Sequence, residues 1–505
     1  MKILVIGAGA AGMSAALSAK ETNPDLDVIV VSKGLQGKAH TCEAEGGINA
    51  ALYSPDNWRK HYEDTLKGGS YRNNPYLVEI LCKEAPKAIE WLRTLGLHFD
   101  LNEKGEIAQR PIGGHSLPRC CYSADRIGAE ILLTLTEEAR RQNIIIKDDI
   151  LITRLLTEKG RVVGAFGIDK RTGEYITFNS DATILATGGI GQIYQFTSNA
   201  KENTGDGLIL AKMIGCELVD LEFIQFHPTG IAVGRKPGAL ISEANRGIGG
   251  KLLSFDGKEY KRFVNELEKR SVVALAIWEE LEKGNQVFLD LTHLDPEFIQ
   301  EQVPDTLKQI KELANLDLRE DLIPVTPTAH FHMGGIKVDE KTLSAMPGLF
   351  ACGEVMAGVH GANRLGGNSL LETIIFGNLS GKKSVEYLSL CQKKKSQERE
   401  KNSLKIKSLE IERLEKIKQI QNPLQIQQKM KSIMWKRVGL KRTIQGLNQG
   451  YFEILNCQFE IGSDFSLPRW YNSIELFNQL ALSILIINSA SRNLNSQGAH
   501  QICIE

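Results

Sequence analysis

The first twelve residues, MKILVIGAGAAG, constrain the fold of this chain more than any other stretch. Lys2 to Ile6 is a short apolar run ending at Gly7, Ala11 to Lys20 reads as a helix, and Asp27 to Val31 reads as a second strand. Strand, glycine turn, helix and strand make the opening βαβ unit of a dinucleotide-binding fold. Gly7 permits the tight turn, Gly9 lets the backbone approach a pyrophosphate, and Gly12 allows close helix–strand packing. The helix N-terminus at Ala11 favours phosphate charge.

Length sets the scale around this unit. A chain of 505 residues is too long for one core, so two or three domains are expected. Alternating short strands and helices continue to about residue 215, with Asp181 to Ala186 a buried strand running into Thr187-Gly188-Gly189. From 231 to 328 this pattern lapses, and GLFACGEV (348–355) again reads as a buried strand. The expected architecture is therefore α/β: a Rossmann-like domain (1–230 and 329–383), interrupted by a capping insert (231–328). A helical C-terminal domain follows (384–505), in which Leu404, Ile406, Leu409, Ile411, Leu414 and Ile417 have helical spacing. The basic run Lys393 to Lys395 reads as a solvated helix face or linker.

Lys+Arg and Asp+Glu both number 61, so no global charge steers the chain to nucleic acid or an anionic membrane. No apolar run is expected to reach bilayer-spanning length, and the N-terminus reads as strand and turn rather than a signal peptide. The nine cysteines include no CxxC, so a cluster or structural zinc held by this chain alone is not expected. The adjacent Cys120 and Cys121 read as reduced thiols in or near a core.

The second strand ends Val31-Ser32-Lys33, without the acid that usually holds a ribose; Ser32 is left to hydrogen-bond it. A second dinucleotide domain for a nicotinamide is not evident, so the redox group expected in this one domain is a flavin. Thr204-Gly205-Asp206-Gly207 puts a carboxylate at a glycine turn ahead of an apolar helix. Cys352-Gly353-Glu354 puts another straight after a buried strand, where parallel sheets present ligands. His227, Arg246, Arg270, His330 and Arg364 form a second group. Arginine grips carboxylate bidentately and histidine adds a donor, so together they suit a small dicarboxylate.

The segments AHTCEAEGGINAAL, NTGDG, QFHPTG, TAHFHMGG and GEVMAGVHGANRLGGNSLLE, in this order, resemble the flavoprotein subunits of succinate dehydrogenase and fumarate reductase, and the related L-aspartate oxidases. The resemblance spans most of the chain. It implies an FAD-binding domain interrupted by a capping domain and followed by helices. It implies FAD held by Gly7, Gly9, Ala11, Gly12, Ser32, Lys33, Thr41, Gly46, Gly47, Asp206, Glu354, Ser369 and Leu370, with a covalent bond from His40 to the flavin. His227, Ser242, His330 and Arg364 would contact substrate carboxylates, Arg270 would move the proton, and Glu243 and Arg246 would feed it. The implied reaction interconverts fumarate and succinate by hydride transfer at flavin N5, with electrons passing to or from an iron–sulfur subunit. The implied location is cytoplasmic, or peripheral on the inner membrane face through partners.

Departures keep two other readings open. The position of Ile248 is commonly glutamate in the family, and Ser271 follows Arg270 where aspartate is usual. Aspartate oxidases tend to carry glutamate where this chain has Ile112, whereas His115 looks more like that branch. L-Aspartate oxidase is one alternative; a non-catalytic FAD-binding assembly subunit is the other.

Overall fold

The computed structural model describes residues 1–390, 398–417, 423–459 and 471–503. The basic run Lys393 to Lys395 lies outside them. A five-stranded parallel sheet organises the nucleotide-binding part, in the order Leu349–Ala351, Ala182–Leu185, Lys2–Ile6, Asp27–Val31, Ile145–Lys147. Its strands are apolar runs rather than alternating ones because helices cover it. Helix Ala10–Thr22 follows the glycine turn, close to the expected bounds. The strand expected over GLFACGEV is shorter: it ends at Ala351, and Gly353, at φ +68°, turns the chain into a single 3-10 turn at Gly353–Val355.

Helix Asn368–Leu390 packs along the first helix at unusually short range. A Cβ on Gly377 would lie 2.6 Å from the Ala11 carbonyl oxygen, and one on Gly381 2.2 Å from that of Ala15. The two glycines therefore set the separation of the helices, whose N-termini open into the same cleft.

The second sheet is antiparallel, ordered Ile224–Ile231, Ile323–His332, Gln286–Asp290, Lys251–Phe255, Tyr260–Arg262. Its first two strands carry the chain into and out of the 231–328 stretch, so the insert is anchored by direct pairing of its entry and exit. A separate apolar cluster, including Ile241, Leu252, Ile277, Leu289 and Val325, fills it. Among the described residues four further helices follow: Glu398–Ile417, Pro423–Val438, Ile444–Phe459 and Tyr471–Arg492. In the first, Leu414 and Ile417 are buried whereas Leu404 and Leu409 are exposed.

One sequence expectation is corrected here. Helix Tyr471–Arg492 is long and apolar enough by composition to cross a bilayer. Its apolar residues have a different use, since 61% of its most apolar window is buried within the protein. It docks through a buried ion cluster: Lys33 Nζ lies 2.6 Å from Asp206 Oδ2 and 2.9 Å from Glu475 Oε1, and Asn478 Nδ2 donates to Asp206 Oδ1 at 2.8 Å.

Burial alone would raise the Asp206 carboxyl pKa, but the Lys33 ammonium and the Asn478 and Thr204 donors outweigh it and hold the pKa below its ordinary value. Stability from this carboxylate is present above its unfolded pKa of about 3.9 and is lost as pH falls through the lower folded value. Wild-type protein should therefore lose stability more steeply than Asp206→Asn on acidification. Urea unfolding at a series of pH values between about 6 and 3 tests this, and parallel curves would deny the ion cluster its role.

Candidate active site

A cleft of about 450 Å³ lies between the carboxyl ends of the parallel strands and the insert. Every candidate residue from the sequence lines it except Gly12 and Arg246. Gly12 sits behind, where a Cβ would be 1.9 Å from the Gly7 carbonyl oxygen, which is the close packing expected of it. Gly7 has φ +117°, and a Cβ there would strike the Ala186 oxygen at 2.1 Å. Gly46 has no atom within 4 Å of the place its Cβ would take, and Gly9 has only Thr41 Oγ1 at 3.3 Å and Ala39 Cβ at 3.6 Å. Bare backbone thus faces the cleft where a pyrophosphate needs it. The Ala10 N–H donates to Thr41 Oγ1 at 3.1 Å, which ties the helix start to the His40 segment.

Ser32 lines the cleft beyond its strand, and its Oγ accepts from the Gly34 N–H at 3.3 Å. Lys33 also lines the cleft, but its ammonium is committed to Asp206, Glu475 and Thr204. Gly47 faces the cleft with bare backbone, since a Cβ there would lie 2.3 Å from Cys120 Sγ. Glu354 is buried, accepts the His332 N–H at 3.0 Å, and is pushed up to about 7 by burial. It can therefore offer a donor or an acceptor near neutrality. His40 opens a short 3-10 turn; its Nδ1 lies 3.3 Å from Glu43 Oε2 and 3.3 Å from the Ala200 N–H nitrogen. With Nδ1 so engaged, Nε2 is the ring nitrogen left for a ligand. These features fit a flavin dinucleotide.

The cationic end is assembled from four separate segments. His227 is buried on the entry strand, and the Thr229 N–H reaches its Nδ1 at 3.3 Å. The proton therefore sits on Nε2, which becomes a donor. His330, on the exit strand, places its Nδ1 2.9 Å from Ser198 Oγ and its ring centroid 5.3 Å from that of His227. Burial, together with nearby guanidinium groups, pushes both histidine pKa values well down, so both rings are neutral. Arg364 donates to Ser369 Oγ at 2.7 Å and to Gln225 Oε1 at 3.0 Å, and stacks 4.6 Å from the Phe331 ring centroid. Its Nε is buried without a partner, and burial followed by repulsion from Arg270 brings its pKa down to about 9.

Arg270 begins the helix Arg270–Glu282. Its Nε and Nη2 both reach Glu243 Oε2, at 2.7 Å and 2.5 Å. Burial opposes the Glu243 charge, but Arg270 and Arg246 outweigh it and bring the carboxyl to about 2. Ser242 caps the short helix Glu243–Gly247, accepting the Ala244 N–H at 3.3 Å. Arg246 is brought near but less closely: its Nη2 stands 3.9 Å from Glu243 Oε1, while its Nη1 donates to the Glu266 carbonyl. Ile248 and Ile112 line the cleft as apolar walls.

Two residues here were not singled out from sequence. Gln225 is fully buried, and its Oε1 accepts from both Arg364 Nη2 at 3.0 Å and Arg270 Nη1 at 3.4 Å. Its position two before His227 on one strand was the available signal, because such residues share a face. Glu45 lines the cleft with Oε2 buried and unpartnered, and burial with nearby Asp125 and Asp305 raises its pKa well above the ordinary value. Nothing in its local sequence distinguishes it from Glu43.

Comparison with known proteins places the chain in a family. Residues 2–370 match the family described as FAD binding domain. The chain is 34% identical to the fumarate reductase flavoprotein subunit of Mycobacterium tuberculosis, covering 99% of this chain and 91% of that protein. It is 40% identical to L-aspartate oxidase of Clostridium acetobutylicum, over 78% of this chain and 90% of that one. Among solved structures, a FrdA mutant of E. coli quinol fumarate reductase superposes with a TM-score of 0.93 at 29% identity, covering 100% of this chain and 91% of that chain. With its sheet, cleft and full-length relatives in agreement, the chain belongs to the FAD-dependent oxidoreductase family of fumarate reductase and succinate dehydrogenase flavoprotein subunits, which also contains L-aspartate oxidase.

Proposed function

We propose that this chain is the catalytic flavoprotein of a fumarate reductase or succinate dehydrogenase, exchanging electrons with a separate iron–sulfur subunit. The observation that carries the reading is the charge balance at one end of the cleft. Arg270 and Arg364 converge there with Arg246 just behind; Glu243 is the carboxylate paired with Arg270, the Glu354 carboxyl near Arg364 is pushed up to about 7 by burial, and the histidines are neutral. A dianion of four carbons complements that excess; a monoanion or a zwitterion does so less well. Ile112 offers no carboxylate to an amino group, which favours fumarate and succinate over aspartate. The absence of CxxC in the sequence supports a partner that carries the clusters, and membrane contact would then come through partners.

FAD bound in the cleft supplies the two-electron carrier. The chain's residues bind, orient and move a proton. Arg364 and the Nε2–H of His227 hold carboxylate oxygens, with Ser242 and His330 beside them. Arg270 delivers a proton to the substrate carbon, and Glu243 holds that guanidinium in place while Arg246 lies next along the relay. A guanidinium is a weak acid, so the transfer has to be concerted with charge build-up on the carbon.

His40 is the proposed attachment point for the flavin. Acid-precipitated holoprotein should keep its yellow colour in the pellet, and His40→Ser should release it to the supernatant. Colour released from wild type would remove the covalent bond from this reading.

Arg270→Ala should lower fumarate reduction with a reduced viologen by about 10²- to 10⁴-fold while flavin content stays at the wild-type level. Retained turnover would overturn the assigned role. Oxygen consumption with aspartate, and none of the fumarate activity, would favour the oxidase.

A further inference from the structure

His115, which the dicarboxylate reading leaves without a task, sits in a buried polar chain behind the cleft. The chain starts at Arg119, whose side chain is 0% exposed. Arg119 pairs bidentately with Asp56, Nε to Oδ2 at 2.9 Å and Nη2 to Oδ1 at 3.1 Å, and its Nη1 reaches Asp64 at 2.7 Å. The same Nη1 lies 3.2 Å from His115 Nδ1. A guanidinium can only donate, so Nδ1 must accept and the imidazole proton must sit on Nε2. Nε2 lies 3.1 Å from the Gly366 carbonyl oxygen and donates to it.

Gly366 stands in the loop that places Arg364 at the cleft and starts helix Asn368–Leu390. A Cβ on Gly366 would lie 2.6 Å from Ile112 and 3.1 Å from Arg270 Nη2, so its backbone is packed directly against the proton-delivering side chain. Asn49 Nδ2 donates to the same carbonyl at 2.6 Å and to Asn368 Oδ1 at 2.7 Å, and His61 Nε2 meets that Oδ1 at 2.9 Å. The loop is therefore gripped from behind by polar side chains that do not line the cleft.

We propose that His115 is a positioning residue: as the neutral Nε2–H tautomer, it ties the Arg119 ion cluster to the Gly366 carbonyl and so fixes Arg364 and Arg270 for dicarboxylate binding. This rests on the dicarboxylate reading above. The geometry needs a donor that reaches the carbonyl, and it needs neither the ring's basicity nor its charge. Glutamine can supply such a donor from a longer side chain; asparagine is too short to do so.

The test uses the purified holoprotein with malonate, a dicarboxylate that does not turn over, titrated against the flavin absorbance, together with fumarate KM and kcat. His115→Asn should weaken malonate about tenfold and raise fumarate KM to match, with flavin content unchanged; His115→Gln should stay near wild type. His115→Asn binding malonate like wild type, or His115→Gln failing equally while holding its flavin, would overturn the proposal. If His115→Asn does not fold, His115→Thr serves as the short variant. Wild type failing to bind malonate would instead sink the dicarboxylate reading itself, so the two failures are distinguishable.

Discussion

One carboxamide oxygen, Gln225 Oε1, is shared by two guanidinium groups, those of Arg270 and Arg364. Bringing like charges together out of water is costly, and the low dielectric of a cleft raises the cost. The fold meets that cost with buried strands. Gln225 and His227 lie on the entry strand of the insert and His330 on the exit strand, and those strands pair directly, His227 opposite Thr328. The pairing that closes the insert thus holds the cationic side chains at the flavin-binding cleft. Electrostatic relief inside the protein comes from Glu243, which pairs directly with Arg270, and from Glu354 and Glu372 near Arg364.

The same economy governs the cofactor side. The first helix and helix Asn368–Leu390 touch through Gly377 and Gly381, and both deliver their N-termini to the cleft. Positive helix ends at two points of one cavity suit a ligand with separated electron-rich groups. The first of these, the glycine turn at the chain start, was legible from sequence because the turn requires φ > 0 and a bare backbone. The second was not. The meeting of helix Asn368–Leu390 with residues more than three hundred positions earlier is a tertiary fact.

Local pattern therefore carried the βαβ unit, the buried strand after residue 181 and the helical character of the C-terminal part. It overran at residues 352–355, where Gly353 turns the chain, and it underrated helix Tyr471–Arg492, whose apolar length serves an interior contact. The residues picked out by motif resemblance gather round one cleft, with Arg246 and Gly12 just behind it. What sequence could not give was the partner of each group. Lys33 meets Glu475 across 442 positions, and Gln225 meets Arg364 across 139, separations at which no periodicity speaks.

His40 shows how the cofactor edge and the insert are joined. Its Nδ1 is flanked by Glu43, and the other oxygen of that carboxylate lies 3.1 Å from Lys236, a residue of the insert. Asp125 on the nucleotide-binding side accepts the N–H of Thr306 at 3.2 Å, near the start of an insert helix. Burial raises the Asp125 pKa, whereas His40 and Lys236 outweigh burial to lower that of Glu43. The two links therefore differ in kind: one is a partly exposed ion pair that salt weakens, the other a buried hydrogen bond that salt leaves alone. An insert held this way stays seated when one link is screened, while any movement that separates Lys236 from Glu43 changes the charge beside His40.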